Sequence, residues 1–129
     1  MKRVLILDND SDVLDVMKEA LTYEGFDVSC VESTNDIFML IDFYKPDVLM
    51  VDYLLNGLNG GEICHQVKNN PETHDLPVII MSAYPPRVLQ LLGDYGSDDF
   101  MPKPFDLEDL TARVKKLTDK KMDEESHAF

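Results

Sequence analysis

Four polar residues of this chain directly follow short apolar runs, and their types could together handle a cation and a phosphoryl group. They are Asp8, Asp52, Ser82 and Lys103. Asn9 and Asp10 come directly after Asp8. Clustered carboxylates repel one another unless a cation lies among them, and oxygen ligands without nearby His or Cys favour Mg²⁺. A carboxylate beside Mg²⁺ can attack a phosphoryl group, whose oxygens a lysine and a hydroxyl can contact.

Each of these residues also has an ordinary explanation when taken alone. An acid after a strand often caps a helix, a serine commonly ends a strand, and a lysine on a loop is usually solvated. The chemical interpretation therefore depends on whether the fold brings all four to one place.

The elements that must position them follow from the apolar pattern. Unbroken apolar runs of this length are typical of strands buried on both faces, and spacings of three and four indicate helices. We predict strands over 4–8, 26–31, 48–52, 78–82 and 99–101. We predict helices from Ser11 to Gly25, from a cap at Ser33 or Thr34 to Pro46, and from Gly60 or Gly61 to about residue 70, then a short one ending near Tyr95 and a last one containing Leu107, Leu110, Val114 and Leu117.

This alternation predicts an α/β fold, a doubly wound parallel sheet of five strands with helices on both faces. Right-handed crossovers and the order 2-1-3-4-5, as in flavodoxin-like folds, place strands one, three and four side by side. Their carboxyl ends then carry Asp8, Asp52 and Ser82 to one sheet edge, with Lys103 after the fifth strand. We expect one domain over residues 2–119 and a disordered tail over 120–129.

Composition restricts the classes of function. The formal net charge of −13 argues against nucleic-acid binding through the bulk surface. Five basic residues between Arg113 and Lys121 suit the C-terminal dipole of the last helix. No apolar run reaches the length of a membrane span, so we expect a cytoplasmic protein with no membrane contact. Cys30 and Cys64 fit no metal spacing and are expected to pack as reduced apolar residues.

Five segments in this order resemble the receiver domains of two-component response regulators. The resemblance covers about residues 2 to 118. The matching segments are Leu5-Ile6-Leu7-Asp8-Asn9-Asp10; Pro46-Asp47-Val48 through Asp52, with Gly57 and Asn59-Gly60; Leu76-Pro77-Val78-Ile79-Ile80-Met81-Ser82-Ala83; Gly96-Ser97-Asp98-Asp99-Phe100; and Lys103-Pro104-Phe105.

The resemblance implies a phosphorylation-activated signalling switch and not an enzyme with an external substrate. Asp52 would take a phosphoryl group from the phosphohistidine of a sensor histidine kinase or a histidine phosphotransfer protein. The implied Mg²⁺ ligands are Asp8, Asn9, Asp52 and the backbone carbonyl of Leu54, and the implied phosphoryl contacts are Ser82 and Lys103.

The resemblance also implies how the switch acts. Ser82 and Phe100 would be the switch residues, and the Lys103–Pro104 bond would be cis. Output would run through the face formed by the fourth helix, the fifth strand and the fifth helix, toward an unidentified protein target. A phosphorylation-dependent dimer is a further expectation.

Several residues depart from the pattern of that family. Asn9 stands where a second acid is usual, which predicts weaker Mg²⁺ binding, and Asn56 stands where proline is usual. Pro85 and Pro86 make the output face unusual. The bulk of Leu54 and Tyr84 beside the site predicts slow attack by water and a long-lived phosphorylated state.

Two alternatives stay open. A receiver fold without phosphorylation could serve only as an interaction domain, for which Asn9 is the main argument. A phosphatase of the haloacid-dehalogenase type would use Asp8-Asn9-Asp10 as its nucleophile motif. The order of the other residues differs from that class, and its mechanism does not require Asp52. The kinase, the signal, and whether the chain is a stand-alone receiver or part of a larger regulator are also open.

Overall fold

The computed structural model describes residues 1–55, 57–85, 87–88, 91 and 95–126, with side chains described as far as residue 119. The strands are β1 Arg3–Leu7, β2 Asp27–Val31, β3 Val48–Asp52, β4 Leu54–Leu55, β5 Leu58–Asn59, β6 Val78–Ser82 and β7 Asp99–Pro102. The helices are α1 Ser11–Tyr23, α2 Ile37–Tyr44, α3 Gly60–Lys68 and α4 Leu107–Ser126.

Five of these strands form one parallel sheet in the order β2-β1-β3-β6-β7. This is the order predicted from the sequence, because β6 and β7 are the fourth and fifth strands of that prediction. The sequence did not predict the two-residue strands β4 and β5, which pair antiparallel as a hairpin between β3 and α3. Strands of two residues are too short to give a periodic pattern.

The core lies on both faces of this sheet, since successive side chains of a strand point to opposite faces. The face covered by α1 and α4 buries Val4, Ile6, Val48, Met50, Ile79, Met81 and Met101. The face covered by α2 and α3 buries Leu5, Leu7, Leu49, Val51, Val78 and Ile80. Cys64 is fully buried in the second cluster and Cys30 is half-buried, and neither forms a disulfide bond.

The start of α2 differs from the prediction. Asp36 caps this helix, because its carboxylate accepts the N–H groups of Phe38 and Met39 at 3.0 and 3.3 Å. The hydroxyl of Thr34 instead accepts the Asp36 N–H at 3.0 Å. Aspartate is as good an N-cap residue as serine or threonine. Residues 33–36 are all of types that can cap a helix, so the sequence alone does not select one of them.

The last helix extends to Ser126, so the basic residues near Arg113 do not lie in its last turn. The dipole explanation for them was therefore wrong. Arg113 pairs with Asp99 and Asp109, and Lys115 pairs with Glu24. Leu110 and Val114 are buried as expected, whereas Leu107 is exposed at the start of the helix.

Some predictions fall partly or wholly outside the described residues. The short helix before Tyr95 is seen only at Arg87, Val88 and Leu91, and Asn56 is not described. The division into a domain over 2–119 and a disordered tail over 120–129 stays a prediction, although helix is described as far as Ser126.

Candidate functional site

Strand register brings the predicted polar residues to one edge of the sheet. Leu7 pairs with Val51, Asp52 pairs with Met81, and Ser82 pairs with Pro102. The residues that follow these partners, Asp8 and Lys103 among them, therefore lie at neighbouring strand ends. The carboxyl edge of such a sheet is where α/β proteins bind ligands.

One lysine joins the two carboxylates at this edge. Lys103 Nζ lies 2.5 Å from Asp8 Oδ2 and 3.4 Å from Asp52 Oδ1. The side chain of Asp8 is fully buried and that of Asp52 is 11% exposed. The other oxygen of Asp8 accepts the Asp10 N–H at 2.9 Å. Two buried negative charges thus share one ammonium group, which leaves the cluster with an excess of negative charge.

Burial and the neighbouring charges both act on the carboxyl of Asp52. Burial raises the pKa of the Asp52 carboxyl above its ordinary value, and the charge of Asp8 raises it further. The Lys103 ammonium and a hydrogen bond from the Leu54 backbone lower the pKa of Asp52 without cancelling the effect of burial. Additional positive charge at this place would favour the ionised carboxylate.

Ser82 is buried at the end of β6, and its hydroxyl oxygen accepts the N–H of Tyr84 at 2.9 Å. Its backbone carbonyl accepts the Lys103 N–H at 2.8 Å. This bond extends the pairing of β6 with β7 by one residue. It therefore fixes the backbone of Lys103 relative to Ser82. The Lys103–Pro104 peptide bond is cis, as expected.

Gly60 holds Asp52 in place from the other side, a contribution that the sequence analysis did not identify. A Cβ atom at Gly60 would lie 2.0 Å from the Asp52 backbone oxygen. The Gly60 N–H also donates to the Tyr53 carbonyl at 2.7 Å. Only glycine permits this approach of α3 to the end of β3. The pair Gly60-Gly61 was the available signal, and it had been used only to place the start of a helix.

The donor set fits a hard divalent cation. Asp8 and Asp52 supply carboxylate oxygens, and Asn9 is exposed directly beside Asp8. Leu54 adjoins Asp52 through the hairpin, and its N–H bonds the Asp52 carboxylate. In the described ranges no three His, Cys, Asp or Glu side chains group as metal ligands. A cation here would therefore depend on the Asn9 amide, backbone oxygen and water besides two carboxylates, as Mg²⁺ often does.

Phe100 lies on β7, at the edge of the sheet, and its ring is half-buried against the α2–α3 side of the core. The Phe100 carbonyl accepts a bond of 2.8 Å from the Arg113 guanidinium, and its N–H donates to Asp99 Oδ1 at 2.7 Å. Phe100 thus has an anchored backbone and a partly exposed ring.

The tyrosine that follows Asp52 was also missed. Tyr53 is buried, and its hydroxyl lies 3.3 Å from the Tyr95 hydroxyl. Nothing in the local sequence links residues 42 positions apart. The aromatic ring after an acidic strand end was the only signal.

Comparison with known proteins agrees with this geometry. Residues 4–115 match the family model of the response regulator receiver domain. The chain belongs to that family.

No helix among the described residues is long and apolar enough to cross a membrane.

Solved structures of receivers superpose closely on the fold. A chain from Chloroflexus aurantiacus J-10-fl classed as a response regulator is 30% identical, with a TM-score of 0.83, over 91% of this chain and 97% of that one. A CheY-like receiver domain protein from Methanospirillum hungatei JF-1 is 24% identical, with a TM-score of 0.83, over 96% and 98%. TrrA of Thermotoga maritima, solved with Mg²⁺ and BeF, is 25% identical, with a TM-score of 0.79, over 91% and 99%.

Proposed function

We propose that this receiver domain is a phosphorylation-activated switch whose acceptor is Asp52. The observation that carries the proposal is the position of Lys103 Nζ, which contacts both Asp8 and Asp52 at the carboxyl edge of the sheet. Of the two acids, Asp52 retains some exposure while Asp8 has none. An incoming phosphoryl group therefore reaches the Asp52 carboxylate more easily.

The step is a transfer from nitrogen to oxygen. A carboxylate oxygen of Asp52 forms a bond to phosphorus while the bond from phosphorus to the donor's histidine nitrogen breaks. The electron pair of that bond stays on the imidazole, which then binds a proton. Lys103 Nζ is near enough to Asp52 to contact an equatorial oxygen, and Ser82 supplies a hydroxyl at the next strand end.

Asp8, Asn9, Asp52 and the Leu54 carbonyl would hold Mg²⁺. When bound, the ion neutralises negative charge on the carboxylates and on the phosphoryl oxygens. Asp8 also accepts the Asp10 N–H, and Asp10 in turn caps α1 through the N–H groups of Asp12 and Val13. The first helix thereby fixes the orientation of the Asp8 carboxylate.

The phosphodonor has a groove in which to dock. A cavity of about 630 Å³ between α1 and the start of α4 is lined mostly by apolar side chains, among them Val13, Val16, Phe105 and Leu107, and also by Asp12 and Lys103. A second cavity continues it along Glu19, Glu24 and Glu108. Apolar lining with an acidic rim fits one helix of a phosphohistidine protein with basic flanks.

Val16→Glu should slow transfer from a protein donor but not from a small donor. Met39→Glu on α2 is the control.

We further propose that output runs through the surface around Phe100, toward a protein target. The ring of Phe100 is half-buried on the edge strand, and Arg113 from α4 holds its carbonyl. A change in the Phe100 ring would therefore alter the surface around the edge strand β7, and Arg113 would link that change to α4 through the Phe100 carbonyl. Phosphorylation-dependent dimerisation through this face and a cytoplasmic location stay predictions.

Intact-protein mass after incubation with a small acyl phosphate tests the central proposal. We expect one added phosphoryl group that requires both Mg²⁺ and Asp52, so that the Asp52→Asn variant stays unlabelled. Asp47→Asn is the matched control, because Asp47 precedes the same strand at its opposite end, where its carboxylate accepts the Arg3 N–H. The Asp47→Asn variant should gain the same phosphoryl mass as the native chain.

Other outcomes would select the alternatives. Absence of labelling under every condition contradicts the proposal and favours an interaction domain that works without phosphorylation. Labelling that survives in Asp52→Asn and disappears in Asp8→Asn would instead favour phosphatase-like chemistry at Asp8.

A further inference from the structure

Three tyrosines lie together beside the acceptor strand. The Tyr53 and Tyr84 rings meet edge to face, with centroids 6.1 Å apart and planes at 85°. The Tyr53 and Tyr95 rings are 6.0 Å apart and tilted by 54°. Tyr53 is 5% exposed and Tyr84 is 41% exposed. We call these three residues the tyrosine cluster, and Tyr53 is its central member.

The hydroxyl of Tyr53 is oriented by two polar partners, one on β5 and one at residue 95. It lies 3.3 Å from the Tyr95 hydroxyl and accepts a 3.5 Å contact from Asn59 Nδ2. The hydrogen bond to Tyr95 and burial both raise the pKa of Tyr53. These contacts are longer than the usual 2.7–2.8 Å for hydroxyl pairs. Contacts of this length contribute little to the stability of the fold, so a phenylalanine at position 53 should preserve it.

Tyr95 is fixed from a second side by α3. Its ring covers Gly61, where a Cβ atom would lie 2.6 Å from the ring. The Tyr95 carbonyl accepts a bond from the Cys64 thiol at 3.4 Å. The side chain of Asn59 caps α3 by accepting the Gly61 N–H at 2.7 Å. Tyr95 therefore lies between the first turn of this helix and Tyr53.

Tyr84 connects the cluster to Ser82. The Ser82 hydroxyl oxygen accepts the Tyr84 N–H at 2.9 Å. A hydroxyl that turns toward a phosphoryl group on Asp52 must weaken this bond or take Tyr84 with it. Either change alters the contact between the Tyr84 and Tyr53 rings, which meet edge to face.

We propose that Tyr53 is a positioning residue that transmits the state of the Ser82 hydroxyl to Tyr95, through its ring contact with Tyr84 and its hydroxyl contact with Tyr95. This inference rests on the proposed phosphorylation of Asp52 and adds to it a second route, distinct from Phe100. Phe100 lies on the edge strand β7, whereas Tyr53 and Tyr95 transmit the change toward α3.

Nuclear magnetic resonance of ring-labelled tyrosine tests the route in the whole chain. Spectra are recorded with Mg²⁺ alone and with Mg²⁺ plus beryllofluoride, a phosphoryl analogue. The chain has five tyrosines, and Tyr44, which contacts Phe43 on α2, serves as the internal control. In the native chain we expect the signals of the tyrosine cluster to move and that of Tyr44 to stay.

Two variants isolate the hydroxyl contact. In Tyr53→Phe the Tyr84 signal should still move, while the movement of the Tyr95 signal should be lost. Tyr95→Phe removes the same contact from the other side and should leave the response of Tyr84 intact. Tyr44→Phe should change neither response.

The outcomes separate this inference from the function beneath it. An unchanged Tyr95 response in Tyr53→Phe overturns the route, and so does a native chain that accepts a phosphoryl group by mass while its Tyr95 signal stays fixed. If no signal responds and no mass is added, the phosphorylation of Asp52 itself is refuted, and the route with it.

Discussion

Two ion clusters in this fold have the same formal charges and differ in burial. In the first, Lys103 lies between Asp8 and Asp52, whose side chains are 0% and 11% exposed. In the second, Arg113 lies between Asp99 and Asp109, which are 30% and 42% exposed. Each cluster has one cation and two carboxylates, so the difference between them cannot come from charge alone.

The donors also differ. Arg113 has a planar guanidinium, which bonds Asp109 through Nε, Asp99 through Nη1, and the Phe100 carbonyl at 2.8 Å. Burial lowers its pKa, but the hydrogen bond to Asp109 and the charges of both acids raise it more. The remaining charge in this cluster faces water. Arg113 therefore ties α4 to β7 and needs no further ligand.

The carboxylates of the Lys103 cluster have far less contact with water. An ammonium is a compact charge, and two carboxylates buried away from water keep a net negative charge that solvent does not screen. That condition destabilises the cation-free protein and favours uptake of another cation. Burial therefore separates two clusters of equal formal charge: the exposed one ties two elements together, and the buried one retains a charge that a further cation would neutralise.

The largest effect should come from removing the central cation of each cluster. Lys103→Met leaves two buried carboxylates unpaired, and breaking a buried pair from one side costs about 3–5 kcal/mol. Arg113→Met, the matched control, should cost about 1 kcal/mol because its partners are solvated. Urea unfolding in Mg²⁺-free buffer measures both, and Mg²⁺ should restore part of the loss only in the Lys103 variant. Equal losses would contradict the comparison.

A second, smaller effect concerns cation uptake. Asn9→Asp adds a carboxylate beside Asp8, and we expect Mg²⁺ to bind about tenfold more tightly, or about 1.4 kcal/mol. Calorimetric titration of Mg²⁺ measures this change. Asp109→Asn alters the charge of the other cluster and should leave the affinity as it is. Equal affinities of the native and Asn9→Asp chains would show that the amide already serves as well as a carboxylate.

The sequence predicted the sheet and its edge because both follow from local patterns. Unbroken apolar runs gave five strands, their alternation with helices gave the strand order, and the side chain after each run marked the edge. The close contact of Lys103 with Asp8, 95 positions away, could be inferred only because strand order is itself predictable.

Features that depend on contacts between side chains were not predictable in this way. The basic residues of the last helix were attributed to its dipole, whereas Arg113 in fact pairs with an acid on another element. The contact of Tyr53 with Tyr95 and the close approach of Gly60 to Asp52 depend on how α3 packs against β3. The spacing of apolar residues along the sequence does not predict that packing.

The smallest effect we expect is a gain in stability from neutralising Asp52. Its pKa in the folded chain is raised, chiefly by burial, so the folded state binds this proton more tightly than the unfolded state, where the pKa is about 3.9. The native chain therefore loses stability as the pH rises from about 4 through the raised pKa of the folded state. In Mg²⁺-free buffer, Asp52→Asn should unfold at a higher temperature than the native chain at neutral pH.

This advantage should shrink as the pH falls through the raised pKa of Asp52 and below the unfolded pKa of about 3.9, because the native carboxyl then becomes protonated as well. It should also shrink when Mg²⁺ is added to the native chain. Asp99→Asn is the counterpart in the exposed cluster, and it should lower the melting temperature because it weakens the pair with Arg113. Opposite signs for the two substitutions would mean that the Asp52 carboxylate is kept at a cost to folding, whereas Asp99 serves the fold itself. If Asp52→Asn were destabilising at every pH, Lys103 would already balance the buried charge, and the excess that attracts a second cation would not exist.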